Sequence, residues 1–160
     1  MKRTAVFPGT FDPITNGHIE IIERGLRIFD ELIIGVGINT SKTTMFSPEV
    51  RTKWIEDLFR NEPRIRVVQF TGLTVHFAQQ NDAQFLLRGL RAAPDFEYEK
   101  NIDLLNRQLA VIETVFLISN PATGHISSSL VREVIRFRGN LNGLVPTLLI
   151  PAIESHLPNL

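Results

Sequence analysis

From Gly9 to His18 the chain reads Gly-Thr-Phe-Asp-Pro-Ile-Thr-Asn-Gly-His, a small-residue turn that carries a hydroxyl at Thr10 and an imidazole at His18. The short apolar run Ala5-Val6-Phe7 precedes it, and apolar residues at helical spacing follow. That is a strand handing over to a helix N-terminus, where unpaired backbone N–H groups and the helix dipole favour an anion. A second junction of this kind stands at Gly124-His125-Ile126-Ser127-Ser128-Ser129-Leu130-Val131-Arg132, with three hydroxyls opening a helix. Two such junctions in one small chain point to a polyphosphate held between two helix ends.

Each candidate has a plainer reading to set beside this one. A lone histidine is by default a helix-surface residue, but His18 sits in a first turn, beside Gly17 and across a Gly/Pro turn from Thr10. Ser127, Ser128 and Ser129 can serve as redundant N-caps, yet three consecutive donors exceed what a cap requires. Lys42, in Asn39-Thr40-Ser41-Lys42-Thr43, reads as a loop lysine that reaches the same crevice if the strand before it ends at that edge. The segment Arg88-Gly89-Leu90-Arg91 puts two arginines around a glycine. Arg88 ends an apolar strand, where an unpaired guanidinium is costly, and this favours a ligand contact. Glu99 and Asn106 share a helix face, which is ordinary for a solvated stripe. Phe11 and Tyr98 read as core or groove lining.

The missing motifs narrow the chemistry. There is no Gly-x-x-x-x-Gly-Lys-Ser/Thr loop, no Gly-x-Gly-x-x-Gly fingerprint, no Ser/His/Asp arrangement and no zinc-spaced cluster. A set of Thr, His, Lys, Arg and Ser without an obvious nucleophile or base suits phosphoryl or nucleotidyl transfer driven by positioning and charge stabilisation. An acceptor that is itself an ionised phosphate needs no general base.

The elements that must position these groups alternate regularly. Strands are expected at Thr4–Phe7, Leu32–Ile38, Ile65–Phe70, Phe85–Leu87 and Val115–Ile118. Helices carry Ile19, Ile22, Leu26 and Phe29 on one face, then Val50, Trp54 and Leu58 after the Ser47-Pro48 start, then Thr74 to about Gln80. After Pro94 a longer helix has Tyr98, Ile102, Leu105 and Leu109 on one face, and Ser127 to Phe137 forms another that Gly139 ends in the left-handed conformation. The pattern predicts an α/β fold: a doubly wound, Rossmann-like five-stranded parallel sheet, order 3-2-1-4-5, with helices on both faces. Its reversal lies between strands 1 and 4, so ligands bind beyond their carboxyl ends, at the Pro8–Gly17 and Arg88–Pro94 loops.

At 160 residues and 43% hydrophobic, the chain fits one domain, 1–160, with the segment from about 143 to 160 packed on it as broken helix. Its formal net charge of +0 gives no basic field for duplex nucleic acid. Without cysteine, signal-like start or long apolar run, the expectation is a cytoplasmic domain that binds neither nucleic acid nor membrane.

These residues also carry a family resemblance. Thr15-Asn16-Gly17-His18 resembles the T/H-x-G-H motif of the nucleotidyltransferase superfamily, and Ile126-Ser127-Ser128-Ser129-x-Val131-Arg132 resembles its ISSS-x-V-R partner. With Arg88-Gly-Leu-Arg-Ala92, Asp95-Phe-Glu-Tyr-Glu99 and Asn106-Arg107, the ordered set is similar to the bacterial phosphopantetheine adenylyltransferase family along essentially the whole chain. The resemblance implies reversible adenylyl transfer from ATP to 4′-phosphopantetheine, giving dephospho-coenzyme A and pyrophosphate, the penultimate step of coenzyme A synthesis. It further implies Mg²⁺, held mainly by the ATP phosphates and water because no acidic cluster marks a protein site. A homohexamer built as a dimer of trimers, and feedback inhibition by coenzyme A, also follow from it.

Residue by residue, the family implies that Thr10 and Lys42 hold the acceptor phosphate and that His18 stabilises the transition state. Arg88, Thr74 and Asn106 would contact phosphopantetheine. Phe11, His18, Gly89, Leu90, Arg91, Glu99 and the segment Thr123, Gly124, His125, Ile126, Ser127, Ser128, Ser129 would bind ATP, as would Thr10. Two other readings share part of the pattern: a nucleotidyltransferase for nicotinamide mononucleotide or a cytidylyl acceptor, and a non-catalytic ATP-binding domain. Against the first stands the Arg88–Ala92 block with Asp95–Glu99, and against the second the joint presence of Thr10, His18, Lys42 and Arg88.

Overall fold

A computed structural model describes residues 2–38 and 43–156. At its centre lies β1 (Thr4–Gly9), flanked by β2 (Glu31–Gly37) and β4 (Phe85–Leu90), with β3 (Ile65–Phe70) and β5 (Glu113–Ile118) at the edges. All four pairings are parallel and the order is β3-β2-β1-β4-β5, the expected doubly wound sheet. The connecting helices are α1 (Asn16–Gly25), α2 (Pro48–Leu58), α3 (Thr74–Gln80) and α4 (Ala93–Leu109). After β5 come α5 (Ser128–Arg136), a short 3₁₀ turn (Thr147–Leu149) and α6 (Ile150–His156).

Because side chains alternate across a strand, the buried runs divide into two cores. Ala5, Phe7, Leu32 and Ile34 pack with Ile22 of α1, Trp54 and Ile55 of α2 and Val131 of α5. Val6 and Ile33, on the opposite face, pack with Val75, Phe77 and Ala78 of α3. Leu149 and Ile153 of the C-terminal segment belong to the first core, so that segment packs on the body as broken helix.

Several local expectations are corrected. β1 runs through Pro8 to Gly9 and β4 through Leu90, so Arg88 stands inside a strand and the following loop starts at Arg91. α1 stops at Gly25, and Leu26 is its C-cap. The left-handed residue after α5 is Arg138 (φ 54), not Gly139. Its N–H bonds Ile135 O at 3.0 Å and that of Gly139 bonds Val134 O at 2.8 Å, the paired bonds of a Schellman cap. Gly139 is needed one residue later for close approach, since a Cβ there would lie 2.8 Å from Val134 Cγ1. The apolar face expected to bury α4 is uncovered by the described residues: Tyr98 is 68% exposed and Leu105 55%, and Asp103 is the helix's buried residue.

The sheet's second core leaves no room at Gly35 of β2. A Cβ there would come 2.8 Å from the Phe77 ring and 3.1 Å from Phe70, two rings stacked at 4.4 Å. Gly35→Ala should therefore cost ~1–3 kcal/mol through overpacking. In urea titrations the midpoint should fall with an unchanged slope; an unchanged midpoint would show that the stacked pair yields freely.

Candidate active site

The ladder between β1 and β4 ends early. Ala5 pairs with Phe85 and Val6 with Leu86, and beyond them the two strands pair no further, whereas β1 stays paired with β2 through Gly9↔Val36. The Pro8 carbonyl accepts a hydrogen bond from Arg88 Nη1 at 3.0 Å, so a side chain fills the gap that opens between the strands. On either side of this gap lies a cleft.

The first cleft, about 450 Å³, lies between the N-termini of α1 and α5 and contains Gly17, His18, Arg88, Gly89, Arg91, Glu99, Thr123 and Ile126–Ser129. Gly89 is required by packing: a Cβ would lie 2.9 Å from Ile21 Cγ1 and push α1 away. Gly17 lets the α1 start approach the second junction, since a Cβ there would be 3.3 Å from Ile126 O. Pro8, Asp95, Tyr98 and Ser119 also face this cleft, and nothing in the sequence pattern singled out Ser119. The second cleft, about 590 Å³, is lined by Thr10, Thr74 and Arg88 with Gly37, Phe70 and Gly72. A third, about 260 Å³, runs from Thr74 and Arg88 along α4 past Asn106. Pro8 and Arg88 border all three.

Other predicted site residues sit behind the walls. Phe11 is 2% exposed, in the left-handed region (φ 50), with its ring folded over Gly9 and edge-on to His18 at 5.1 Å. A Cβ on Gly9 would lie 2.8 Å from that ring, so glycine is what lets the loop close back. Leu90 is buried, and Gly124 and His125 lie outside the cleft lining. Lys42 lies outside the described residues.

His18 is fixed in one tautomer. The Thr15 backbone N–H donates to His18 Nδ1 at 3.0 Å, the reciprocal arm of a capping box with histidine in place of the usual carboxamide or carboxylate. A nitrogen that accepts from a backbone N–H carries no proton itself, so the proton of the neutral ring is on Nε2. Desolvation first, then the positive charges of Arg91 and Arg88, lower the His18 pKa from 6.5 to about 4. At neutral pH the ring is an uncharged donor.

The arginines are not free cations, as their positions in the sequence had implied. Arg88 Nε donates to Glu99 Oε2 at 2.8 Å, its Nη2 bonds Oε1, and Glu99, on α4, is half-buried. Arg91 Nε donates to Asp95 Oδ2 at 3.1 Å. The three serines divide their work. Ser127 Oγ accepts from Leu130 N–H as N-cap, Ser128 Oγ donates to Pro13 O at 2.8 Å, and Ser129 Oγ accepts from Arg132 Nη2.

A buried network holds the Thr10–Pro13 loop, and the sequence reading assigned it no role. Both oxygens of Asp12, 2% exposed, accept backbone N–H bonds, from Met45 at 2.8 Å and Phe46 at 2.9 Å. Arg132 Nη1 donates to Asp12 O at 2.7 Å, tying the second junction to the first. Arg51, 1% exposed, donates from Nε to Phe46 O at 3.0 Å and from Nη1 to Thr10 O. No group of three His, Cys, Asp or Glu side chains gathers among the described residues, and the carboxylates facing the first cleft are each held by an arginine. No helix among them is long and apolar enough to cross a membrane.

Comparison with known proteins finds a family match over most of the chain. The cytidylyltransferase-like family model matches residues 6–134. A phosphopantetheine adenylyltransferase of Flavobacterium johnsoniae is 51% identical over 144 residues, 90% of this chain and 95% of that one. One from Bacteroides thetaiotaomicron is 46% identical over the same shares, and one from Desulfatibacillum aliphaticivorans is 42% identical over 98% of this chain and 90% of its own.

The state of His18 can be tested directly. Unfolded, its ring titrates near 6.5; folded, near about 4, so between these values the native state binds fewer protons. The stability this contributes is fully present above the unfolded pKa and is lost as pH falls towards the folded one. By NMR the His18 ring should stay neutral from about pH 7.5 to 5.5, and the stability difference between wild type and His18→Asn should shrink on acidification through that window. A ring that titrates near 6.5 would overturn the assignment.

Proposed function

The chain belongs to the cytidylyltransferase-like family, among its phosphopantetheine adenylyltransferases, and from that premise we propose that it transfers the adenylyl group of ATP to 4′-phosphopantetheine, giving dephospho-coenzyme A and pyrophosphate. The observation that carries this reading is the pair of clefts meeting at Pro8 and Arg88. One lies between two helix N-termini and suits a nucleotide; the other bears Thr10 and Thr74 and suits the acceptor.

An oxygen of the acceptor phosphate attacks the α-phosphorus in line. One P–O bond forms as the bond to the β-phosphate bridging oxygen breaks, and pyrophosphate leaves with the electron pair. The attacking oxygen is already ionised, so no base need remove a proton. Thr10 and Lys42 hold the acceptor phosphate. Arg88 spends three N–H donors on Glu99 and Pro8 and keeps two of the five that a guanidinium carries, enough to reach the acceptor without giving up its ion pair. His18 directs Nε2–H at the α-phosphate oxygens. The backbone N–H groups opening α5 take the outer phosphates, since the Ser128 hydroxyl proton is already given to Pro13.

Phe11 shapes this pocket from behind His18, and Arg91, Glu99 and the Thr123–Ser129 segment enclose the nucleotide. Mg²⁺ would be held by the ATP phosphates and water and would supply charge neutralisation there, since the carboxylates of the cleft are each paired with an arginine and form no cage for it. The exposed apolar side chains of α4, among them Phe96, Tyr98, Leu104 and Leu105, fit burial in a homohexamer arranged as a dimer of trimers. A cytoplasmic location and feedback inhibition by coenzyme A complete the reading.

Pyrophosphate release from ATP should require 4′-phosphopantetheine, and pantetheine without its phosphate should be a very poor substrate. Comparable turnover of the two would sink the assignment. His18→Ala should lower kcat by ~10²-fold or more, as when one donor is deleted from a preorganised anion site, while ATP binding by titration and the melting curve change far less. A near-normal kcat, or a loss wholly explained by weaker ATP binding or unfolding, would make His18 structural.

A further inference from the structure

Arg51 occupies a position that helical periodicity gives to the core. α2 starts on Ser47, whose hydroxyl accepts from the Val50 N–H at 3.3 Å, and its inward side chains are Arg51, Trp54 and Ile55, at helical spacing. Arg51 is 1% exposed, and an aliphatic side chain there would fill the space without the cost of taking a guanidinium out of water. Burial disfavours its charge, and the carboxylates of Asp12 and Glu49 offset part of that cost. What arginine supplies and an aliphatic residue lacks is a rigid planar fork of donors. Nε gives its proton to the Phe46 carbonyl at 3.0 Å, and Nη1 donates to the Thr10 carbonyl.

The Thr10 backbone needs such a partner. Gly9↔Val36 is the last pair of the β1–β2 ladder and α1 begins only at Asn16, so neither strand nor helix fixes Thr10. Phe11 then turns the chain through the left-handed region (φ 50). Thr10 itself is exposed and lines the second cleft, while its carbonyl is held from behind by α2. Phe46 belongs to the segment that follows Lys42 in sequence, and its N–H and that of Met45 donate to the Asp12 carboxylate. Two buried side chains, Arg51 and Asp12, therefore join the Thr10–Asp12 loop to the Met45–Phe46 segment.

We infer that Arg51 is a positioning residue for the acceptor phosphate: acting through the Thr10 carbonyl, it holds Thr10 where the threonine hydroxyl meets that phosphate, and it touches neither substrate itself. This rests on the proposed adenylyl transfer to 4′-phosphopantetheine, in which Thr10 and Lys42 hold the attacking phosphate. In-line attack is sensitive to placement, and an error of about 1 Å can cost ~10²-fold in rate. The nucleotide side is insulated from this effect, because neither Thr10 nor Phe46 lines the first cleft. Loss of the fork should therefore be felt by the acceptor.

The test is steady-state kinetics of pyrophosphate release in Arg51→Gln, Thr10→Ala and the double variant. Because the interaction governs placement, Arg51→Gln should lower kcat/KM for 4′-phosphopantetheine about tenfold or more, with the KM for ATP within about twofold. Arg51→Lys keeps the charge but not the fork, and should fall between Arg51→Gln and wild type. In the Thr10→Ala background, where the hydroxyl is already gone, Arg51→Gln should cost less than about threefold, since residues that act as one unit are not additive. A role in stability alone would leave the two losses to multiply. That result overturns the proposal, as does an unchanged kcat/KM in Arg51→Gln or a parallel rise in both KM values. If Arg51→Gln is unfolded at the assay temperature, as judged by its melt, Arg51→Lys decides by the same comparison. Both Arg51 variants unfolded would make the fork a matter of folding alone and overturn the proposal too. Wild-type enzyme that releases no pyrophosphate with 4′-phosphopantetheine would instead overturn the underlying activity, an outcome distinct from an active enzyme indifferent to Arg51.

Discussion

The structure depends on the parting of β1 and β4 after Val6 and Leu86. At the reversal of a doubly wound sheet the chain leaves the two central strands towards opposite faces, β1 into α1 on one side and β4 into α4 on the other, and no ladder bond bridges the crevice between them. Here Pro8 stands just past the last pair, a residue with no N–H to offer a ladder, and the Arg88 guanidinium takes its carbonyl. Arg88 thereby joins the sheet to Glu99 on α4 and borders every cleft of the site. The gap supplies the room for ligands, and the arginine that spans it holds the two sides at a set distance.

How the proposed site would attract an anion follows from where its charges go. Arg88 is neutralised by Glu99 and Arg91 by Asp95, so neither presents an uncompensated charge at the surface. Among the described residues of the first cleft, the pair of helix N-termini remains unopposed, with backbone N–H groups converging from α1 and α5. Dipoles of this kind cost no reorganisation when charge moves, whereas a free cation in water carries a hydration shell that must be stripped. Arg132 donates to the Asp12 backbone carbonyl and the Asp12 carboxylate accepts from the Met45 and Phe46 amides, so the first loop and the start of α5 are held in one frame.

Much of this was legible in the chain. The two strand-to-helix junctions, the element order and the crevice at Thr10, His18, Arg88 and Ser127–Ser129 follow from periodicity and turn chemistry, which are local signals. What was not legible depends on partners distant in sequence. Arg51 looks like one more helix-surface arginine until its guanidinium is seen to hold the Thr10 and Phe46 carbonyls, and no spacing announces that. Glu99 looked like part of a solvated stripe because its partner is eleven residues away on a strand. The α4 face looked like core because periodicity reports that a surface will be covered, and does not say whether its own chain covers it. At the end of α5, glycine drew the left-handed conformation by its permissiveness, but closeness to Val134 was the stronger demand and Arg138 took the positive φ instead.

The protonation state of His18 is a product of the fold and not of the residue. The capping bond from Thr15 selects the Nε2–H tautomer, the Phe7 and Phe11 rings crowd the imidazole, and the same arginines that frame the crevice oppose a second proton. A protonated imidazole would bind the charge already on an ATP phosphate and so favour the ground state as much as the transition state. A neutral one is a weaker partner for the resting phosphate and gains as negative charge builds on the oxygens it faces during displacement. In the adenylyl transfer we propose, the burial that lowers its pKa is what turns a helix-capping histidine into a group that discriminates between the two states.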